Sequence, residues 1–244
     1  LAPEIDIAVK GEGENSFAEI VSGRNAAEIK GIIFRQNGII CENDGVGAAG
    51  DLDSIPIPAY DLIDIDLYSN QLSYAYNHRR QGILVTSRGC LYSCTFCFKN
   101  TASFRLRSAE SICREIRHLY DRHDIRDFYI VDDLFNVHPQ RAISIFNRIR
   151  EDGLNLRLYF SNGLRADLVS REFIDTAVRA GAIWFTYAIE SANGEIQTLI
   201  NKNVDLQKAR AAIEYTQSLD VAVNISTMFG FPTETMAMAM ETLE

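Results

Sequence analysis

The sequence predicts an α/β fold: a parallel sheet with helical crossovers, preceded by a smaller α+β segment. Three observations predict it. From Gln81 onward, five short β-rich runs alternate with longer helical patterns, the order that a sheet of βα units requires. The interiors of these runs are apolar or aromatic, and all five end in polar residues or glycine. The 244 residues are 47% hydrophobic, enough to bury a sizeable core. The residues alone leave open whether the sheet closes as a barrel or stays doubly wound.

Residues 4–23, EIDIAVKGEGENSFAEIVSG, read as a short strand, a glycine turn and a helix capped near Asn15 or Ser16 and closed by Gly23. In residues 31–43, two apolar runs flank Asn37-Gly38, a hairpin signal. The glycines and prolines of DGVGAAGD and LDSIPIPAYDLID then suggest a linker. The expected organisation is a segment over 1–43, a linker over 44–80 and a core domain over 81–244. Strands are expected at 83–87, 127–131, 156–161, 183–189 and 221–229. Helices are expected at 108–122, 139–152, 169–180, 193–219 with a break at Asn203, and 234–244. Ile112, Ile116 and Leu119 recur at helical spacing and mark the buried stripe of the first.

A formal charge of −9 repels a phosphate backbone, so nothing global favours nucleic acid. The small basic clusters His78-Arg79-Arg80 and Arg105/Arg107 read as solvated faces. No apolar run is long enough to span a bilayer and no signal segment opens the chain, which predicts a soluble, cytoplasmic protein. The start at Leu1, on what reads as the tail of a strand unit, suggests a piece of something longer.

Ligands of parallel sheets bind at the C-terminal strand ends. There the sequence places Cys90, Cys94 and Cys97; Asp132 and Asp133; Asn162 and Arg165; Glu190 and Ser191; and Gly230, Pro232 and Glu234. That convergence predicts one shared site. The stretch CLYSCTFC (90–97) holds three of the five cysteines, too closely spaced for a disulfide framework. Zinc wants four tetrahedral ligands, and His78 or His118 would have to supply the fourth. An electron-transfer ferredoxin wants four cysteines per cluster, but Cys41 and Cys113 read as small buried hydrophobes. Three thiolates on a 4Fe-4S cluster leave one iron open, the mark of a catalytic site.

CLYSCTFC, with aromatic Phe96 before its last cysteine, resembles the C-x-x-x-C-x-aromatic-C signature of radical S-adenosylmethionine (radical SAM) enzymes. The resemblance implies a partial (β/α) TIM-type barrel of radical SAM type with five of six strands present. Cys90, Cys94 and Cys97 would hold a 4Fe-4S cluster, with S-adenosylmethionine chelating the fourth iron. Reductive cleavage would give a 5′-deoxyadenosyl radical that abstracts hydrogen from a substrate, the cofactor carrying the hard step.

Phe96 would lie near the adenine. DFYIVDDLF (127–135) occupies the place of the family's methionine-binding stretch, so Asp132 or Asp133 would hold the amino group; a helix N-cap pair is the alternative. FSNGLRAD (160–167) offers Ser161 and Arg165 to the carboxylate or ribose, although Arg165 could instead pair with Asp167. AIESANGEIQTLINKN (188–203) resembles the GIES stretch, with its downstream lysine, of the cobalamin-dependent branch, and Glu190 would bind ribose hydroxyls. MFGFPTET (228–235) resembles the turn beside the adenine, at Gly230 and Pro232, with Thr233 where the family pattern has glycine.

Residues 1–43 and the linker resemble the end of a cobalamin-binding domain and its connection to the radical SAM core. The implied function is hydrogen abstraction for cobalamin-dependent methyl transfer to an unactivated carbon. The alternatives are radical oxidation, cyclisation or rearrangement, or a non-catalytic iron-sulfur or zinc module. The implied partners are a small-molecule or natural-product substrate and an electron donor such as flavodoxin or ferredoxin.

Overall fold

The computed structural model describes residues 2–69, 80–98 and 103–244. The chain divides into two compact units, Leu1–Pro56 and Ile57–Glu244. His78 and Arg79 of the expected basic cluster lie outside the described residues.

In the first unit, β1 (Ile7–Val9) and β3 (Ile39–Glu42) flank β2 (Ile32–Gln36) in an antiparallel sheet, with α1 (Glu14–Val21) joined to it through a core of Ile29, Ile32 and Phe34. The hairpin forms where expected: Asn37 and Gly38 both adopt positive φ, 51° and 79°, the pairing whose twist matches that of the strands. The helix cap is Gly13 rather than Asn15 or Ser16. Those two fall inside α1, and Ser16 is buried, its hydroxyl turned to the Lys30 carbonyl.

The second unit opens with α2 (Ile65–Ser69) and β4 (Gln81–Leu84), followed by the two-residue strands β5 (Ser87–Arg88) and β6 (Arg105–Leu106). Four crossovers follow: α3 (Ala109–His123) leads to β7 (Asp127–Ile130), α4 (Pro139–Glu151) to β8 (Arg157–Leu164), and α5 (Arg171–Arg179) to β9 (Ala182–Glu190). The last, α6 (Gly194–Leu199) with α7 (Leu206–Gln217), leads to β10 (Ala222–Thr227), and α8 (Met236–Leu243) closes the described chain. The sheet runs β10-β9-β8-β7-β4, every neighbour parallel. This is the partial TIM-type barrel, five strands with β4 and β10 at its edges. All five strands and five expected helical segments form, the fourth segment as the pair α6 and α7.

Side-chain caps start these helices where the sequence offers them: Ser108, Ser170, Asp205 and Thr235 each accept a backbone N–H from the first turn. Strand alternation splits the sheet into two faces. Toward the helices, Phe128, Phe146, Phe160 and Phe173 are fully buried, with Phe146 and Phe173 edge to face at 5.4 Å. On the other face, Tyr129 and Tyr159 stack at 4.4 Å. Below them the buried Asp127 accepts from Arg157 and from the Tyr159 hydroxyl.

One expected solvated face is structural. Arg107 donates to the buried Glu115 and to the Val85 carbonyl, and Tyr60 reaches the same carboxylate at 3.0 Å. A helix-forming stretch next to a strand exit has to satisfy these buried groups, which a charge count does not reveal. Arg80, by contrast, makes an exposed pair with Asp66.

Two backbone sites yield stability tests. Gly153 and Gly181 both have positive φ, but a Cβ on Gly153 meets open space whereas one on Gly181 would lie 2.1 Å from the Leu156 carbonyl oxygen. In urea unfolding, Gly153→Ala should therefore cost about 1–2 kcal/mol and Gly181→Ala about 3–5 kcal/mol; equal losses would contradict the close approach. Thr233 sits at φ 69° in a turn closed by the Glu234 carboxylate, which accepts from the N–H groups of Gly230 and Phe231. Thr233→Gly should relieve about 1 kcal/mol of left-handed strain, offset in part by chain entropy. Its unfolding midpoint should hold or rise, and a clear fall would show that the threonine is unstrained.

Candidate active site

The cysteine loop leaves the C-terminal end of β4 through a narrow neck. Ser87 and Arg88 of β5 pair antiparallel with Leu106 and Arg105 of β6, and Arg107 N–H bonds the Thr86 carbonyl, so the excursion starts and ends on one ladder. Asp132, beyond the end of β7, fixes that neck. Its carboxylate accepts from the Thr86 N–H and from the hydroxyls of Thr86 and Ser87. Burial pushes its pKa up, with those three donors opposing.

Asp132 is 3% exposed, and its three donors tie the carboxylate to the β4 exit. Neither aspartate caps a helix, since His138 is the N-cap of α4. Asp133 is the exposed member of the pair.

Within the loop, Cys90 and Cys94 are half-buried and Cys97 is exposed. Desolvation and the Cys94 thiol raise the Cys97 pKa, Lys202 opposes, and Cys90 and Glu190 add to the rise. The three sulfurs and the Glu190–Lys202 pair thus share one electrostatic neighbourhood. The loop rests on the turn between α6 and α7. Thr95 N–H bonds the Ile200 carbonyl at 2.9 Å. The Asn201 amide donates to the carbonyl and hydroxyl of Ser93 at 3.1 and 2.9 Å. Phe96 lies with its ring centroid 5.8 Å from the Lys202 ammonium and 6.3 Å from the Phe231 ring.

Arg165 also serves this turn. Its guanidinium lies 4.0 Å over the Tyr92 ring, donates to the carbonyls of Lys202 and Asn203 at 2.8 Å, and pairs with Asp167. Its side chain is buried and braces loop against loop, and the pairing with Asp167 forms.

Glu190 ends β9 at φ 67°, an unusual conformation for a non-glycine residue and often a mark of a functional site. Its carboxylate receives the Lys202 ammonium at 2.8 Å, both residues 8% exposed, and its carbonyl receives Met228 N–H. Gly230 and Pro232 lie exposed in the following turn. Ser161 sits one layer deeper, in a cavity of about 60 Å³ on the concave face with Tyr129, Tyr159, Trp184, Thr186 and Asn224.

Sequence reasoning missed Thr86, Ser87, Ser93 and Asn201. Asn201 carried a signal, because asparagine is the residue type most at ease at left-handed φ, and Asn201 and Asn203 flank Lys202.

The donor set, three cysteines in one loop, is of the kind an iron-sulfur cluster takes. Four ligands around one zinc ion place sulfurs about 3.8 Å apart, and among the described residues no three His, Cys, Asp or Glu side chains converge to hold a single ion. His118 lies tilted against His123, ring centroids 5.6 Å apart, and the His123 carbonyl receives Arg80 at the start of β4, so His118 belongs to the opposite rim. Cys113 is buried, its pKa pushed up to about 11 by desolvation, and Cys41 lies in the hairpin of the first unit.

The chain is 30% identical over 241 residues to the uncharacterized methyltransferase PH0819 of Pyrococcus horikoshii, covering 96% of this chain and 50% of that protein. It is 32% identical over 193 residues to the cytidylyl-2-hydroxyethylphosphonate methyltransferase of Streptomyces wedmorensis, covering 75% of this chain and 35% of that protein. Its fold is similar to that of the cobalamin-dependent S-adenosylmethionine radical enzyme OxsB, solved with aqua-cobalamin and S-adenosylmethionine bound. That likeness has a TM-score of 0.77 at 21% identity, covering 97% of this chain and 35% of that one. The chain thus spans between a third and a half of these proteins. Residues 84–244, which take in the cysteine loop and everything that supports it, match the Radical SAM superfamily, and the chain belongs to that superfamily.

Proposed function

We propose that the protein reductively cleaves S-adenosylmethionine and directs the resulting radical to methyl transfer onto an unactivated carbon, with cobalamin as the methyl carrier. The observation that carries the first part is the cysteine loop itself. Three cysteines sit in a single loop that leaves the C-terminal end of β4, at the rim where the ends of the parallel strands gather.

Cys90, Cys94 and Cys97 would each give one thiolate to a 4Fe-4S cluster. Such a cluster, when bound, supplies the electron that cleaves S-adenosylmethionine to a 5′-deoxyadenosyl radical, which takes hydrogen from the substrate. Phe96, wedged between Lys202 and Phe231, would face the adenine and exclude water from that side. Glu190, oriented by Lys202, would accept the ribose hydroxyls through its second oxygen. Gly230 and Pro232 would shape the turn beside the adenine, and exposed Asp133 would meet the methionine amino group. Ser161, on the concave face, lies toward the interior where a substrate would enter.

Methyl transfer is the first reading because both relatives above are named methyltransferases, and radical cyclisation is the second, because other relatives are named cyclases. The OxsB structure, of the same fold, holds cobalamin. A small-molecule substrate and a flavodoxin- or ferredoxin-type donor complete the reading. No helix among the described residues is long and apolar enough to cross a membrane, and the cytoplasm, where thiolates stay reduced, is the proposed compartment.

Anaerobic reconstitution of the intact protein should bind about four irons, and reduction in the presence of S-adenosylmethionine should release 5′-deoxyadenosine. Alanine at Cys90, Cys94 or Cys97 should abolish both while leaving the circular dichroism unchanged. An intact cluster that releases no 5′-deoxyadenosine would sink the reading. For Glu190, removing a charge-assisted contact should weaken S-adenosylmethionine binding about tenfold or more. Glu190→Gln should therefore raise the Kd at unchanged iron content; a loss of stability with no change in Kd would reduce Glu190 to a partner for Lys202.

A further inference from the structure

Between the two neck strands of the cysteine loop, the bond from Cys97 N–H to the Cys94 carbonyl at 3.1 Å is its internal backbone tie among the described residues. Its shape comes from outside. Ser93, Thr95 and Phe96 are engaged by a segment about a hundred residues further along the chain, residues 200–202, and Tyr92 by Arg165 from the loop after β8; the four alternate with the cysteines, two between Cys90 and Cys94 and two between Cys94 and Cys97.

The engaging segment is rigid. Asn201 and Asn203 take φ of 52° and 49°, a double left-handed reversal that aims the Ile200 carbonyl and the Asn201 side chain the same way. The Gln197 side chain, 3% exposed, ties this turn to the end of β9, donating to the carbonyls of Ile189 and Ser191 and accepting from Val204 N–H. The Asn203 amide donates to the Asn201 Oδ1 at 3.3 Å. That bond sets which end of the Asn201 amide faces the loop: its oxygen is taken, so its N–H groups point at Ser93.

We propose that Asn201 is a positioning residue for the metal-binding loop, holding Cys90 and Cys94 at the spacing the cluster needs through its paired bonds to Ser93. The inference rests on the cluster assignment above and goes beyond it, since Asn201 is not among the cysteine ligands and acts through Ser93. Its function is to lower the ordering cost that a loop of this length incurs when metal binds.

The test separates the side chain from the turn. Asn201→Gly keeps the left-handed backbone and removes the amide, and Asn203→Gly keeps the same backbone at a position that does not touch the loop. Ser93→Ala approaches the contact from the other side. In intact protein reconstituted anaerobically, wild type and all three variants should load about four irons, with unchanged circular dichroism. Iron release to a competing chelator should quicken roughly tenfold in Asn201→Gly, from the loss of two hydrogen bonds, and less in Ser93→Ala and Asn203→Gly. The Asn201→Gly/Ser93→Ala double variant should release iron no faster than Asn201→Gly, the non-additivity of groups in contact.

Wild-type release in Asn201→Gly, equal quickening in Asn201→Gly and Asn203→Gly, or full additivity with Ser93→Ala would overturn the positioning role while leaving the cluster assignment standing. A wild-type protein that loads no iron would overturn that assignment and this inference with it.

Discussion

The buried pair of Glu190 and Lys202 is the interaction on which the rim depends. Through side chains and backbone, these two residues touch three of the segments that form the site: Lys202 faces Phe96 of the cysteine loop, its carbonyl receives Arg165 from the loop after β8, and the Glu190 carbonyl receives Met228 as the chain leaves β10. A buried ion pair is weak evidence of stability, because desolvation offsets most of the attraction. Removing one partner is another matter, since it strands a charge at a cost of about 3–5 kcal/mol. The pair therefore acts as a lock on geometry, and an isolated apolar substitution of either member would disturb three loops together.

That lock operates on an arrangement imposed by the sheet. Five parallel strands deliver their C-terminal ends to one edge, so residues far apart in sequence meet without any loop having to travel far. The cysteine loop is the exception, a long excursion between β4 and α3, and it is closed at its base by the β5–β6 ladder and by Asp132. The neck and the turn at 200–203 thus divide the work: one fixes where the loop starts and ends, the other its shape in between.

The alternation of strands and helices was legible because it depends on local periodicity, and the five strand positions follow from it. The identity of the three cysteines was legible because spacing, aromatic neighbour and strand exit coincide in eight residues. The protein partners of Asp132 and Arg165 were not legible. A carboxylate or guanidinium at a strand end looks the same in sequence whatever it faces, and only the structure shows its bonds to Thr86 and Ser87 or to the carbonyls of Lys202 and Asn203. Gly13 as the cap of α1 was missed because a glycine cap leaves no side-chain signature when serine and asparagine stand nearby.

Backbone strain gives an independent view of where the site lies. Six non-glycine residues among those described have positive φ: Asn37, Asp124, Glu190, Asn201, Asn203 and Thr233. Asn37 and Asp124 occupy ordinary places for it, a hairpin turn and the end of α3. The other four all lie on the C-terminal rim, and two of them, a glutamate ending a strand and a β-branched threonine, are residue types poorly suited to that conformation. Such conformations persist only where surrounding contacts over-determine them. Here those contacts are Lys202 on Glu190, Ser93 and Arg165 on the asparagine turn, and the Glu234 carboxylate closing the turn that holds Thr233. The local rules of sequence and backbone are broken together, and only where the cysteine loop and its supports meet, as expected of a surface shaped by what it holds.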